Sequence, residues 1–306
     1  MQRASYPDNP ATAVAVVVAL VTIVATAASV VPAAAAEQKS FEVAPWSAPG
    51  ISSAQFESHP AFDPLTRDLY FVRSSPKFEG WRLEVSTCTA QGWSQPQSPS
   101  FVGDGVEADP WFTRDGRTLY FISTRSTDGV KRKDLDLWRV NRAADGKWET
   151  PQRLPAPVNS TGNEWFPRMS RDGWLYFGSD RPGGVGKTDI WRARAEKDGE
   201  WRVENLGPSI NTVGNEYEPS LSPDDSRMII ATDDAFYESI RTGDRWTPRT
   251  RLPPAINANG SEIGPLFSPS GKSLLFARDA KTELSGEFFV WHIAGHEEWP
   301  PTCGAK

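Results

Sequence analysis

The stretch SRDGWLYFGSDRPGGVGKTDIW, residues 170–191, shows how the chain folds. Near its start lies Asp172-Gly173, a pair that favours a tight turn between two strands. The apolar run Leu175-Tyr176-Phe177 follows, and after a glycine-rich segment a second apolar run ends at Trp191. Short apolar runs separated by turn residues are typical of β-strands. The stretch therefore predicts a turn and two consecutive strands.

The same pattern recurs along the chain, and each of five copies begins with the motif E-x-x-P. The motifs start at Glu57, Glu107, Glu164, Glu216 and Glu262. An apolar triplet follows 11 or 12 residues after each glutamate, and the triplets begin at Leu69, Leu119, Leu175, Met228 and Leu274. The motifs are 46 to 57 residues apart, which is close to the period of a β-propeller blade.

Each copy contains signals for about four strands. In the second copy, Arg114-Asp115-Gly116 separates the motif from the triplet, a third strand carries Trp138, and a fourth starts near Trp148. A small sheet that is apolar on both faces buries them by stacking against neighbouring sheets around an axis. We predict an all-β fold, a single β-propeller over residues 37–306 with about five four-stranded blades, six being the alternative.

Two segments compete to complete the last blade. Residues 41–49 contain Trp46 and Pro49, which match the W-x-x-P of a fourth strand, so we predict that they pair with the fifth copy and close the ring. The tail around Trp299 is the alternative. Closure would bring the two cysteines of the chain, Cys88 and Cys303, into neighbouring blades, where they form either a disulfide or two separate thiols.

The repeat in residues 170–191 resembles that of the TolB-like, WD-repeat-like propeller proteins of the bacterial envelope, S-x-D-G-x-x-L-Y-F-x-S-D-R-P-G-G-x-G-x-x-D-I-W. The similarity runs from about Glu57 to Trp291. The resemblance implies a periplasmic or secreted propeller, commonly a protein-binding or envelope-associated module. Such a repeat is a packing unit, so it does not specify chemistry.

Nucleotides and nucleic acids are not expected partners. Gly186-Lys187-Thr188 matches the end of the phosphate-binding loop G-x-x-x-x-G-K-[ST], but Arg181 stands where the first glycine is required and no helix is expected to follow. The formal net charge is -6, without the basic clusters that bind DNA or RNA.

The N-terminus predicts export. Residues 11–31 are an apolar run preceded by Arg3, and the alanines up to Ala36 suit signal peptidase. We interpret residues 1–36 as a signal peptide; a retained membrane anchor is the alternative, because a run of this length spans a bilayer. In either case the propeller is expected in the periplasm or outside the cell, and it would contact a membrane only if the segment is retained.

In four copies the motif glutamate is expected to face an arginine at the end of the second strand. We predict structural ion pairs between Glu57 and Arg73, Glu107 and Arg125, Glu164 and Arg181, and Glu262 and Arg278. Recurrence in copy after copy indicates an architectural role rather than catalysis.

The fourth copy lacks this arginine. Asp233-Asp234 stands in its place, near Glu216 and Glu218. The acidic cluster could bind a cation such as calcium, or a basic group on a partner, and a solvated, degenerate blade is the alternative.

Large side chains of the motifs are candidates for the mouth of the channel. Trp165 and Tyr217 lie between the glutamate and proline of their motifs, and we group Trp111 with them; core packing is the alternative. With Arg181 and the acidic cluster of the fourth copy they form the predicted binding face. His59 lies in the first motif, where we favour a packed or solvated histidine.

Few sequence features suggest an enzyme. The chain has three histidines, no G-x-S-x-G motif, and two cysteines without metal-ligand spacing. We predict a non-catalytic propeller without a metal or cofactor, which acts as a binding module or scaffold for a protein or an envelope glycan. The alternative is a propeller-fold glycoside hydrolase or polysaccharide lyase, which would need carboxylates from different blades to converge.

Overall fold

The repeated motif of the sequence becomes the innermost strand of each of five small sheets. The computed structural model describes residues 42–127, 129–130, 132–258, 262–279, 286–295 and 297–304. The described residues form the strands β1 (Val43–Trp46), β2 (Phe56–Phe62), β3 (Leu69–Ser74), β4 (Arg82–Ser86), β5 (Cys88–Thr89), β6 (Gly92–Trp93), β7 (Glu107–Phe112), β8 (Thr118–Ser123), β9 (Asp136–Asn141), β10 (Gln152–Arg153), β11 (Glu164–Met169), β12 (Leu175–Ser179), β13 (Asp189–Ala195), β14 (Trp201–Asn205), β15 (Glu216–Leu221), β16 (Arg227–Thr232), β17 (Phe236–Thr242), β18 (Arg245–Trp246), β19 (Thr250–Arg251), β20 (Glu262–Phe267), β21 (Ser273–Arg278) and β22 (Glu287–His292).

These strands form five antiparallel blades. Blade one contains β2, β3 and β4, extended by a bridge between Val85 and Gln97 and followed by the β5–β6 hairpin. Blade two contains β7 to β10, blade three contains β11 to β14, and blade four contains β15 to β18 with β19 also paired to β17. Blade five contains β20, β21, β22 and β1. The innermost strands contact one another in ring order, and β20 lies beside β2. The predicted five-bladed propeller is confirmed.

The innermost strands carry a register irregularity at E-x-x-P. Pairing shifts between the second and fifth positions of the motif in four blades, as between Ser58 and Ala61, and between the first and third positions in blade four. A proline has no N–H to donate to a sheet, so a bulge is a place where it costs little. The third motif residue has a positive φ in four blades, at His59, Asp109, Phe166 and Gly264. In these four blades the bulge therefore changes the direction in which the third residue of the motif points.

Five apolar clusters lie between successive blades. Blades one and two share a cluster around Phe121, blades two and three around Phe177, and blades three and four around Tyr176. Blades four and five pack around Phe276, and blades five and one around Phe71. The apolar triplets of the sequence supply both faces of each sheet, which explains why neither face is left to solvent.

The N-terminal segment closes the ring. Val43–Trp46 pairs antiparallel with β22, so the first strand in the chain is the outer strand of the last blade, as predicted. The tail does not take this place: Trp299 packs instead against Phe62 between blades five and one, with 6.0 Å between ring centroids. The tail then reaches Cys303, which forms a disulfide with Cys88.

The glycine-rich segment of residues 181–189 is the connection between β12 and β13. The backbone N–H of Gly186 donates to the Asp189 carboxylate at 2.9 Å, and the N–H of Val185 donates to the same carboxylate. Lys187 N–H donates to the carbonyl of Gly214. Three N–H groups of this segment, those of residues 185–187, are therefore engaged within the protein.

The predicted signal segment, residues 1–36, lies outside the described residues. Within the ranges that the structure describes, no helix is long and apolar enough to cross a membrane.

Candidate functional site

The central channel has two ends, which the strand direction distinguishes. Each innermost strand starts with the motif glutamate and runs to a hairpin turn, so the second and third motif positions face one end and the fifth and later positions face the other. A cavity lies at each end. We call the first the mouth cavity and the second the base cavity.

The mouth cavity has a volume of about 370 Å³. It is lined by His59, Val72, Phe78, Trp81, Ala108, Asp109, Trp165, Tyr217, Glu218 and Ile263. Its walls are mainly aromatic and its floor is polar, the composition of small-molecule sites in proteins.

Four aromatic side chains form the walls. Trp165 and Tyr217 come from the second motif position of blades three and four and meet edge to face, with 6.1 Å between ring centroids. Phe78 and Trp81 come from the β3–β4 loop of blade one, with 5.1 Å between centroids, and the Trp81 indole donates to the carbonyl of Phe78 at 2.8 Å. All four are partly buried, so part of each ring faces the opening.

Three third-position residues form the floor. His59 Nε2 lies 3.0 Å from Glu218 Oε1 and 3.4 Å from Asp109 Oδ1. The second oxygen of Glu218 accepts from the Gly264 N–H at 2.7 Å, and that of Asp109 accepts from the Phe166 N–H at 3.0 Å. One imidazole from blade one therefore joins carboxylates of blades two and four across the axis.

The electrostatics of the floor favour retention of a proton. Burial alone would lower the pKa of His59, but the carboxylates of Asp109 and Glu218 outweigh it, and the pKa lies above its usual value. Burial raises the pKa of Asp109, although His59 acts in the opposite direction. The cluster therefore binds a proton more tightly than the separate groups would in water.

The structure separates the residues that we grouped as a binding face. Trp165, Tyr217 and Glu218 lie together at the mouth cavity, whereas Trp111 lines the base cavity. Trp111 is the fifth residue of its motif and Trp165 is the second, and three residues along a strand cover roughly 10 Å. Arg181 is mostly buried outside both cavities and donates to the carbonyls of Pro157 and Val158.

The acidic residues of blade four each have separate partners. Glu216 is buried and lies 2.9 Å from Arg249. Arg249 comes from the outer part of the blade and takes the place of the arginine that the second strand supplies in the other blades. Asp233 accepts from the Tyr217 hydroxyl at 2.8 Å, and Asp234 pairs with Arg251. Among the residues described, no group of three or more His, Cys, Asp or Glu is arranged to hold a metal ion.

The expected intrablade ion pairs are present in the structure. The nitrogen-to-oxygen distances are 2.9 Å for Arg73 and Glu57, 2.9 Å for Arg181 and Glu164, and 3.0 Å for Arg278 and Glu262, and Arg125 contacts Glu107 as well. In three blades the glutamate also accepts from the N–H and hydroxyl of a serine or threonine four residues earlier, as Glu164 does from Ser160. These glutamates fix the connection into each blade and are not open to a ligand.

The sequence did not identify four polar or aromatic residues of the mouth cavity as part of a binding site. Asp109 and His59 occupy the same motif position as Glu218, and comparing third positions across the copies would have grouped them. Phe78 and Trp81 lie in a loop outside the motif, and two large aromatic residues in a short polar loop were the available signal.

No protein-family model matches the sequence, and no curated protein matches it. Several solved structures are similar. An α-L-arabinofuranosidase from Lactobacillus brevis superposes with a TM-score of 0.52 at 14% identity, covering 80% of this chain and 92% of that one.

Two further structures are similar at lower TM-scores. A protein assigned as TolB from Agrobacterium tumefaciens has a TM-score of 0.49 at 16% identity, covering 74% of this chain and 70% of that one. A gluconolactonase from Xanthomonas campestris has 0.48 at 13% identity, covering 82% and 89%. At 14% identity the similarity to the arabinofuranosidase concerns the fold alone, and one fold can serve both binding proteins and enzymes.

Proposed function

We propose that this chain is a non-catalytic, exported β-propeller that binds an envelope glycan at its mouth cavity. The observation that supports this most directly is the set of four partly buried aromatic side chains around a polar floor. Aromatic faces pack against the apolar faces of sugar rings, and the hydroxyl groups of a sugar need hydrogen-bond acceptors. The oxygens of Asp109 and Glu218 each retain a lone pair for such a donor.

The arrangement of the floor favours binding over catalysis. A catalytic histidine needs a ring nitrogen free to reach the reacting group. Here both nitrogens of His59 have protein partners, since Nδ1 lies 2.8 Å from Ser58 Oγ and Nε2 lies near both carboxylates. Each carboxylate is also held by a backbone N–H. The cluster acts as a rigid acceptor surface.

The disulfide supports export. Disulfides persist in the periplasm and outside the cell and are rare in the cytoplasm. Cys88 and Cys303 are the two cysteines of the chain and they are bonded to each other. With the apolar N-terminal run of the sequence, this supports a periplasmic or secreted location. N-terminal sequencing of the protein recovered from the periplasm and the medium tests cleavage after Ala36; recovery only from the cytoplasm would contradict export.

Binding is tested by titrating soluble envelope glycan fragments into the purified chain by calorimetry. Trp165→Ala should weaken binding about 5- to 30-fold, because it removes one wall of the mouth cavity. Trp111→Ala is the matched control, a partly buried tryptophan in the base cavity, and should leave the affinity unchanged. Equal losses in both variants, or capture of proteins but no glycan from envelope extract, would refute a glycan site at the mouth.

A polysaccharide-cleaving enzyme is the second candidate, because two carboxylates and a histidine do converge in one cavity. Burial raises the pKa of Asp109, which is the usual condition for a general acid, and Glu218 would be its partner. Incubation with a polysaccharide panel tests this. Cleavage by the wild type that Asp109→Asn abolishes, without loss of glycan binding, would make the chain an enzyme.

A further inference from the structure

Arg168 places a charge where the other blades have none. It is the fifth residue of the blade-three motif, and the matching positions hold Ala61, Trp111, Ser220 and Leu266. Arg168 is only 2% exposed. A buried guanidinium requires compensating partners, since the loss of its hydration is costly.

Those partners are largely missing within the protein. The Arg168 Nη1 donates to the Pro167 carbonyl at 2.8 Å, and the guanidinium carbon lies 3.5 Å from the centre of the Phe166 ring. Among the described residues no carboxylate lies within ion-pair distance of Arg168, and its buried Nε has no hydrogen-bond partner. Among the described residues the Arg168 guanidinium therefore lacks a charge partner, and a carboxylate ligand would supply one.

The nearest negative charges, on Asp109 and Glu218, are directed elsewhere. Their oxygens contact His59 and the N–H groups of Phe166 and Gly264 on the mouth side of the axis. Burial lowers the pKa of Arg168 to about 9, so the side chain is still cationic at neutral pH.

Arg168 lines the base cavity, which has a volume of about 370 Å³. The surrounding side chains are mainly apolar and include Phe112, Met169, Leu221 and Phe267. The lining also contains Arg114 and Asp225, whose charges lie 3.7 Å apart and compensate each other. Arg168 is the arginine of this lining without such a partner among the described residues, so the cavity matches a ligand with a single anionic end.

We propose that the base cavity binds a carboxylate attached to an apolar group, with the carboxylate on the guanidinium of Arg168. The carboxylate supplies the charge partner that the buried guanidinium lacks, and the apolar body contacts Phe112 and Phe267. This site is separate from the mouth cavity and does not depend on glycan binding there. A small free acid and the C-terminus of a peptide carry the same chemistry.

The test compares 3-phenylpropionate with its neutral amide by calorimetry at pH 7. The acid should bind at least 10-fold more tightly, because hydrogen bonds to a charged group are worth roughly 10- to 100-fold in affinity. A Gly-Gly-Phe tripeptide with a free or an amidated C-terminus distinguishes the two sources. Equal affinity for the charged and neutral member of both pairs, or no saturable binding of any of them, would overturn the proposal.

Variants locate the site. Arg168→Met keeps the length of the side chain without its charge and should remove the preference for the acid. Arg168→Lys keeps the charge without the planar guanidinium and should give an intermediate preference. This variant tests the proposal if the methionine variant does not fold. Arg251→Ala, which removes an exposed arginine of the outer blade, is the control and should bind as the wild type does. An undiminished preference in Arg168→Lys, or in a folded Arg168→Met, would overturn the assignment to Arg168.

Discussion

Gly264 lies at the contact between blade five and blade one, and its replacement by alanine tests both ring closure and the floor of the mouth cavity. Its φ is +64°, and its N–H donates to Glu218 at 2.7 Å. A Cβ at this position would lie 2.6 Å from the backbone nitrogen of His59 and 2.8 Å from its Cα. Because both contacts are with backbone atoms, no side-chain rotation relieves them.

The expected cost has two parts. An alanine with positive φ costs about 1–2 kcal/mol. Overpacking against an inner strand adds about 1–3 kcal/mol, so Gly264→Ala should destabilise the fold by about 2–5 kcal/mol. Gly173→Ala is the matched control, because Gly173 has a φ of +85° in a hairpin turn and no heavy atom within 4 Å of its Cβ position. Gly173→Ala should therefore show only the cost of an alanine with positive φ, about 1–2 kcal/mol.

Thermal unfolding followed by circular dichroism measures the difference. With roughly 2 °C lost for each kcal/mol in a domain of this size, we expect Tm to fall by about 4–10 °C in Gly264→Ala and by about 2–4 °C in Gly173→Ala. The affinity for glycan should fall only in Gly264→Ala, since a displaced His59 disturbs the floor. Equal Tm shifts in the two variants would refute the packing of β20 against β2 and, with it, the closure described above.

Three further outcomes are expected. Reduction of the disulfide should lower the stability by roughly 2–4 kcal/mol in chemical unfolding, since it releases a loop of 215 residues, and an unchanged midpoint would contradict the bond. Arg249→Ala should lower the free energy of unfolding by about 3–5 kcal/mol, because it leaves the buried Glu216 without a cation. Arg251→Ala removes an exposed arginine and should lower it by about 1 kcal/mol or less. Similar losses in the two variants would show that Glu216 does not need Arg249. The pKa of His59 is raised in the folded state, so its contribution to stability is complete below the unfolded value of 6.5 and is lost as the pH rises through the folded value. The stability of the wild type relative to His59→Gln should therefore decrease as the pH rises above about 6.5, by up to about 1.4 kcal/mol per pH unit in urea unfolding, and a constant difference would contradict the carboxylate contacts.

The fold was accessible from the sequence because its signals are local and repeated. The distance from each motif glutamate to its apolar triplet sets the length of the first hairpin, and the five copies give the number of blades. The W-x-x-P match of Trp46 identified the closing strand because outer strands share a local pattern, wherever they lie in the chain.

The candidate site was accessible only in part. Trp165 and Tyr217 follow from their motif positions, but the sequence also suggested Trp111, which the strand carries to the other cavity. Arg249 could not be paired with Glu216 in advance, because 33 residues separate them and the contact arises from the path of the outer strands.

By itself, the sequence determined the strands, their order within each blade and the closure of the ring, since hairpins and apolar alternation depend on neighbouring residues. Only the tertiary structure decided which side chains meet on the axis. His59, Asp109 and Glu218 come from three blades, and each is the third residue of its motif, at the irregularity of its inner strand. Arg168 is likewise ordinary in sequence and becomes a candidate binding residue because it is buried at the base cavity and has no carboxylate at ion-pair distance among the described residues. Such contacts depend on the convergence of distant strands on one axis, which no local pattern specifies.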